Sequence, residues 1–213
     1  MSLRATLVRG GGRPRLLDFG CGCGRLLRFL VGHGDLLELH GTDVNPEHVE
    51  WCREFLAPIR FTTNDLRPPL SHPDGRFDGI WSLSVFTHLD EEASAAWRNE
   101  LARMLAPGGI LIATTHGATA LERIGAEPEL AERTRLDGER LRGVRRRTES
   151  NGFAFVPYAG RDLENARAGE RYGLTFVSEQ YLARTWADER FELVAHHGGA
   201  LRGWQDVAVL RRR

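Results

Sequence analysis

The chain has 213 residues, with 29 basic and 29 acidic side chains and a net charge of zero. That length holds one α/β domain whose core needs neither disulfides nor metals. The balanced charge argues against a nucleic-acid partner, and no apolar run approaches the roughly 20 residues of a membrane span.

In chain order, Arg15 to Phe19 reads as a buried first strand. Leu26, Leu27, Leu30 and Val31 share a face at helical spacing and predict a helix after it. Leu37 to Thr42 predicts strand two, ending at Asp43. Asn45 can cap the next helix with Pro46 at its first position, and Val49, Cys52 and Leu56 form the inner face. Ile59 to Thr62 is strand three, and the Pro- and Gly-rich stretch Arg67 to Gly75 is a loop. Phe77 to Leu83 is strand four. Asp90 caps a helix with the stripe Ala93, Trp97, Leu101, Met104 and Leu105, and Glu91 and Glu92 suit its dipole. Pro107-Gly108-Gly109 breaks the chain before strand five, Ile110 to Thr115.

The alternation then lapses. Residues 117–175 read as a lid or acceptor-binding insertion, helical over Pro128 to Arg147. A helix over Ser178 to Trp186 precedes two edge strands, Phe191 to His196 and Trp204 to Leu210, whose short connection suits an antiparallel pair. The expected fold is therefore a single α/β domain with a doubly wound, mostly parallel seven-stranded sheet and an antiparallel edge strand. Arg145 to Arg147 reads as a solvated helix face, and Arg211 to Arg213 as a frayed end.

Chemistry concentrates at Asp18-Phe19-Gly20-Cys21-Gly22-Cys23-Gly24. A glycine-rich turn between strand and helix lets a ligand approach the backbone and offers main-chain amides. A dinucleotide fingerprint needs Gly-x-Gly-x-x-Gly. Gly20 and Gly22 fit its first two positions, but Arg25 fills the third, and Gly24 falls one residue early. Asp18 adds an acid suited to a cationic sulfonium amino acid rather than a pyrophosphate. Asp43, closing strand two, is placed to accept ribose hydroxyls or else to serve as a turn residue. Every basic residue is Arg, so no Lys amine is present for covalent or base chemistry. Cys21, Cys23 and Cys52 predict reduced thiols in a cytoplasm and, without a second Cys/His cluster, no metal. The segment Met1 to Pro14 is too polar for a signal peptide.

The chain resembles the class I (Rossmann-like) S-adenosylmethionine-dependent methyltransferases, many of them bacterial. The matching segments are Leu17 to Arg25, Gly41 to Pro46, Asp74 to Ile80, Ser84 to Leu89 and Leu105 to Leu111, in the family's order. The resemblance implies S-adenosyl-L-methionine as cofactor. It places Asp18, Gly20, Cys21, Gly22 and Gly24 on the methionine part, Asp43 and Val44 on the ribose, and Asn64 or Asp65 on the adenine. Ser82, Leu83 and Ser84 fall beside the sulfonium. The acceptor is expected to be a small molecule such as a sugar, a lipid-linked intermediate or a natural product, and O-directed. His116 and His88, after strands five and four, are the candidate bases, with His196 and His197 behind them. Tyr158 and Tyr172 are candidates to line the acceptor side. Only about 14 residues precede strand one, where many relatives carry covering helices. That keeps open a non-catalytic binding module of the same fold. Oligomeric state is not readable.

Overall fold

The computed structural model describes residues 12–158 and 171–213. The reading of the first residues as too polar for a leader, and the stretch 159–170 of the expected insertion, lie outside these. A seven-stranded sheet runs in the order β3-β2-β1-β4-β5-β9-β8, as the alternating pattern predicts. Its strands are β1 (Arg15–Phe19), β2 (Glu38–Asp43), β3 (Arg60–Thr63), β4 (Phe77–Ser82), β5 (Leu105–Thr115), β8 (Phe191–Leu201) and β9 (Gln205–Arg212). The strands β1 to β5 pair in parallel. β9 is antiparallel to both β5 and β8.

Adjacent residues of β1 serve opposite faces, as strand geometry requires. Leu17 and Phe19 pack with Phe77, Trp97, Leu101 and Met104 in one core. Leu16 joins Leu27, Leu39, Val49, Cys52 and Phe61 in the other. α1 (Pro46–Phe55) starts as its sequence dictates, with Asn45 Oδ1 accepting from the Glu47 N–H at 3.0 Å. α2 (Glu91–Met104) is capped by Asp90, which accepts from the Ala93 N–H at 2.8 Å.

Four expectations need correction. The helix expected after β1 is two short 3-10 turns, Leu27–Phe29 and Val31–His33. Gly32 and Gly34 weaken helix propagation there, and only Leu27 is buried while Phe29 stays 69% exposed. Pro107 to Gly109 does not precede β5 but bulges within it, because Leu105 already pairs with Phe77 before Ile110 pairs with Gly79. The helix expected over Pro128 to Arg147 is two, α4 (Pro128–Thr134) and α5 (Gly138–Asn151), separated by the left-handed Arg135 and following α3 (Ala118–Ala126). Arg211 to Arg213 do not fray: Arg212 belongs to β9 and donates to the Ala102 and Arg190 carbonyls at 3.0 and 3.1 Å.

The insertion also supplies a hairpin, β6 (Phe153–Pro157) antiparallel to β7 (Gly173–Val177). With α3 and α5 it shares its own core of Ala120, Leu121, Ile124, Val144, Leu174 and Phe176. Glu179–Tyr181 then opens a helical segment, capped by Ser178 and continuing as a π-turn to Trp186. Among the described residues no helix is long and apolar enough to cross a membrane, and no group of three or more His, Cys, Asp or Glu could hold a metal ion.

Candidate functional site

The carboxyl ends of β1, β2, β4 and β5 meet at one edge of the sheet, where ligands of open α/β folds bind. The loop after β1 leans on β2, with the Gly20 and Cys21 N–H groups donating to the Thr42 carbonyl at 2.8 and 3.0 Å. Its glycines are required for different reasons. A Cβ on Gly20 would stand 2.2 Å from Val85 Cγ2, and one on Gly24 would stand 2.3 Å from Leu56 Cδ1. At Gly22 a Cβ would meet nothing within 4 Å, yet φ is +53°. The loop is therefore packed at both ends and bare in the middle, with a backbone there that L side chains resist.

Asp43 completes this edge. One carboxylate oxygen accepts the Gly22 N–H at 2.7 Å, and the other accepts the Asn45 N–H at 2.9 Å. Each oxygen keeps a further lone pair for a donor in the crevice. Cys21 and Cys52 are buried, and both thiols lie near the Gly22 carbonyl, at 3.6 and 3.5 Å. Burial pushes the Cys52 thiol up to about 11 and Cys21 further in the same direction, so both stay protonated donors. They hold the central peptide from behind.

Asp18 is 3% exposed. Burial raises its carboxyl to about 7; the Trp81 indole opposes the rise, the Asp43 charge adds to it, and the Arg25 charge offsets part of it. A buried acid in that state gains from a cationic ligand group. With the bare glycine, it makes the crevice a fit for a cationic amino acid joined to a nucleoside. The two residues competing for the adenine slot part company. Asn64 Oδ1 accepts from the buried Thr42 hydroxyl at 2.9 Å, whereas Asp65 is exposed.

After β4 the chain turns through Ser84, a non-glycine residue at φ +61°. Such strain persists only where neighbours over-determine it. Here the Ser84 N–H donates to Thr114 Oγ1 at 2.8 Å, and its hydroxyl meets the Gln205 side-chain amide at 2.9 Å. Ser82, Thr87 and Thr115 are fully buried, and among the described residues their hydroxyls have no hydrogen-bond partner. Leu83 and Val44 are half-buried.

The two expected histidines are brought together. Their ring centroids are 6.3 Å apart, edge to face. β7 docks on both loops: the Gly173 and Thr175 N–H groups donate to the His88 and Thr87 carbonyls at 2.9 Å, and Val177 donates to the His116 carbonyl at 2.7 Å. The same strand orients the rings. His88 Nδ1 lies 2.8 Å from the Gly173 carbonyl and His116 Nδ1 lies 3.2 Å from that of Thr175. A carbonyl only accepts, so Nδ1 carries the proton in each ring and Nε2 the lone pair. Burial lowers both imidazoles, His116 to about 4, with the His88 ring adding to the shift there. Both are neutral near pH 7.

His196 differs. Its Nε2 is 3.2 Å from Asp206 Oδ2 and its Nδ1 3.7 Å from Glu179. Asp206, then Glu179, raise its proton affinity, which makes it a proton holder rather than a base. His197 is exposed. Three residues escaped the sequence reading: Gln205, Asp206 and Trp204. β9 runs antiparallel, so its first residues land at the edge where the parallel strands end. The antiparallel reading of the last two strands contained that signal. A separate cleft of about 420 Å³, lined by Asp74, Arg103, Arg190 and Arg212 among others, lies at the amino ends of β4 and β5, away from these groups.

Residues 16–109 match the model of a family described as a methyltransferase domain. A 2-methyl-6-phytyl-1,4-hydroquinone methyltransferase of Synechocystis is 36% identical over 101 residues, covering 46% of this chain and 30% of that protein. A malonyl-[acyl-carrier protein] O-methyltransferase of Enterobacter lignolyticus is 32% identical over 127 residues, covering 59% and 46%. The chain thus spans less than half the length of these two relatives. Among solved structures, a SAM-dependent methyltransferase from Methanosarcina mazei superposes with a TM-score of 0.64 at 18% identity, covering 98% of this chain and 95% of that one. A Burkholderia thailandensis 1,6-didemethyltoxoflavin-N1-methyltransferase, solved with S-adenosylhomocysteine, gives 0.58 at 18%, covering 98% and 76%.

Proposed function

We propose that this chain, a member of the class I S-adenosylmethionine-dependent methyltransferases, transfers a methyl group to a hydroxyl of a small-molecule acceptor. The observation that carries the reading is the open space beside left-handed Gly22, whose N–H is held by Asp43, in a loop that opens with the buried acid Asp18. S-adenosylmethionine, when bound there, supplies an electrophilic methyl on a sulfonium.

The chain's residues hold and orient. Asp18 counters the ammonium charge of the methionine part, and the loop Gly20 to Gly24 lets that part lie against main chain. Asp43 accepts the ribose hydroxyls through its remaining lone pairs. Asp65 meets the adenine, because Asn64 is already tied to Thr42. Val44 and Leu83 supply apolar contact, and the turn Ser82 to Val85 faces the methyl. His116 Nε2 takes the acceptor's proton, its Nδ1–H fixed on the Thr175 carbonyl. His88 is the second candidate. The described residues of the insertion, 117–158 and 171–175, form the cover over the acceptor. A small-molecule acceptor is supported by the names of the relatives, and an O-directed transfer by the paired neutral imidazoles. The three free thiols suit a reducing, cytoplasmic setting.

Titration calorimetry with S-adenosylhomocysteine tests this. The wild-type chain is expected to bind one equivalent. Gly22→Val, which puts a β-branched side chain into the open space at a left-handed backbone, is expected to weaken binding at least ~100-fold, about 2.7 kcal/mol. Equal affinity in both proteins would defeat the proposal.

A further inference from the structure

We infer that the acceptor is a neutral aromatic molecule, held against a wall of rings that the insertion and the β8–β9 turn build beside the crevice. This rests on the methyltransferase reading above and narrows its substrate. Tyr172 stacks on His88 with centroids 4.9 Å apart and planes 26° apart. Tyr158 lies 5.8 Å from Tyr172 and 5.9 Å from His88, its hydroxyl 3.2 Å from His88 Nδ1. His116 meets His88 edge-on, and Trp204 meets His116 edge-on at 5.0 Å. These five rings come from five separate stretches of chain: β7 docks on the loops after β4 and β5, and the pairing of β9 with β5 brings in Trp204.

The wall adjoins the crevice through Val85: its side chain lies against Gly20, and its carbonyl accepts the His88 N–H at 2.9 Å. Tyr158, Tyr172, His88 and Trp204 are half-buried and keep part of their surface accessible. The chemistry offered is ring faces and neutral imidazole edges. Arg123 sits over Trp204 at 5.9 Å but is engaged with Glu127, and Asp206 is engaged with His196. An anionic acceptor would lose its water without gaining a countercharge. A sugar would bring more hydroxyls than the ring faces can satisfy. A flat phenol stacks by its face, while its hydroxyl reaches a Nε2 lone pair.

The test uses the full chain saturated with S-adenosylhomocysteine and calorimetry with three probes: 2-naphthol, its saturated counterpart 2-decalol, and choline. The expected result is naphthol at least ~10-fold tighter than decalol, with choline weaker than naphthol. Tyr158→Ala and Trp204→Ala should each weaken naphthol by about three- to tenfold, and Tyr158→Phe should restore it. S-adenosylhomocysteine affinity, measured on the same samples, should stay within about threefold. That control exposes a variant that fails to fold, in which case Tyr158→Phe against wild type and the probe ranking still decide. Naphthol and decalol binding alike, choline binding tighter than naphthol, or no naphthol binding to protein that holds S-adenosylhomocysteine would each overturn the aromatic assignment while leaving the cofactor reading intact. A wild-type chain that fails to hold S-adenosylhomocysteine would sink both.

Discussion

The two halves of the site are built from different materials. The crevice around Gly20 to Gly24 is made of main-chain groups and short-range acids: Asp43 holds the Gly22 N–H, and two thiols sit behind the Gly22 carbonyl. The wall over the ends of β4 and β5 is made of side chains from distant stretches, oriented by carbonyls of an inserted strand. A backbone site recognises what every ligand of its class shares. A side-chain site can be exchanged without disturbing the sheet. The comparison therefore divides the work: variants in the crevice should change cofactor affinity, and variants in the wall should change turnover and acceptor choice.

The largest effect should come from the wall. His116→Gln is expected to cut turnover by about 10²–10⁴-fold, the range of a lost general base, with S-adenosylhomocysteine affinity within about threefold. A parallel fall in affinity would erase the division between the halves. Next, Asp43→Ala removes the acceptor for two backbone amides and, on the proposed reading, for the ribose. Calorimetry should show cofactor affinity down by roughly 10- to 100-fold, since each charge-assisted bond is worth about 1.5–3 kcal/mol. The smallest effect is the pH dependence of that affinity. Asp18 titrates near 7 in the free chain, and its protonated form has no charge to offer an ammonium. Affinity should therefore weaken as pH falls from 8 to 6, by up to about tenfold per unit below 7, and level off above 8. Asp18→Asn should flatten the profile. A flat wild-type profile would place the ammonium elsewhere. His116, neutral above about 4, adds no step in this range.

The same contrast explains what the sequence disclosed. The crevice was legible because its determinants are contiguous: a strand, three glycines at fixed spacing, and an acid closing the next strand. The caps Asn45 and Asp90 were legible because a side chain two or three residues from its amide partner leaves a local signature. The first crossover failed because apolar spacing alone does not make a helix when Gly32 and Gly34 interrupt it. The hairpin failed because β7 is wholly buried and shows no alternation, and because its partner β6 is separated from it by a stretch without apolar pattern. The candidate bases were placed by their position after strands. What fixes their tautomers, and which rings surround them, depends on a docking that no local window contains.

One strand, β7, presents the carbonyls of Gly173 and Thr175 to two different imidazoles. These residues are two apart and so project from the same edge of the strand. The protonation pattern of both rings is thus decided together, by the register of a single segment, and neither ring can turn over while that segment stays in place. Sliding it by one residue would withdraw both contacts in a single step. The tautomer of two rings that lie on separate loops is in this way inherited from one short strand.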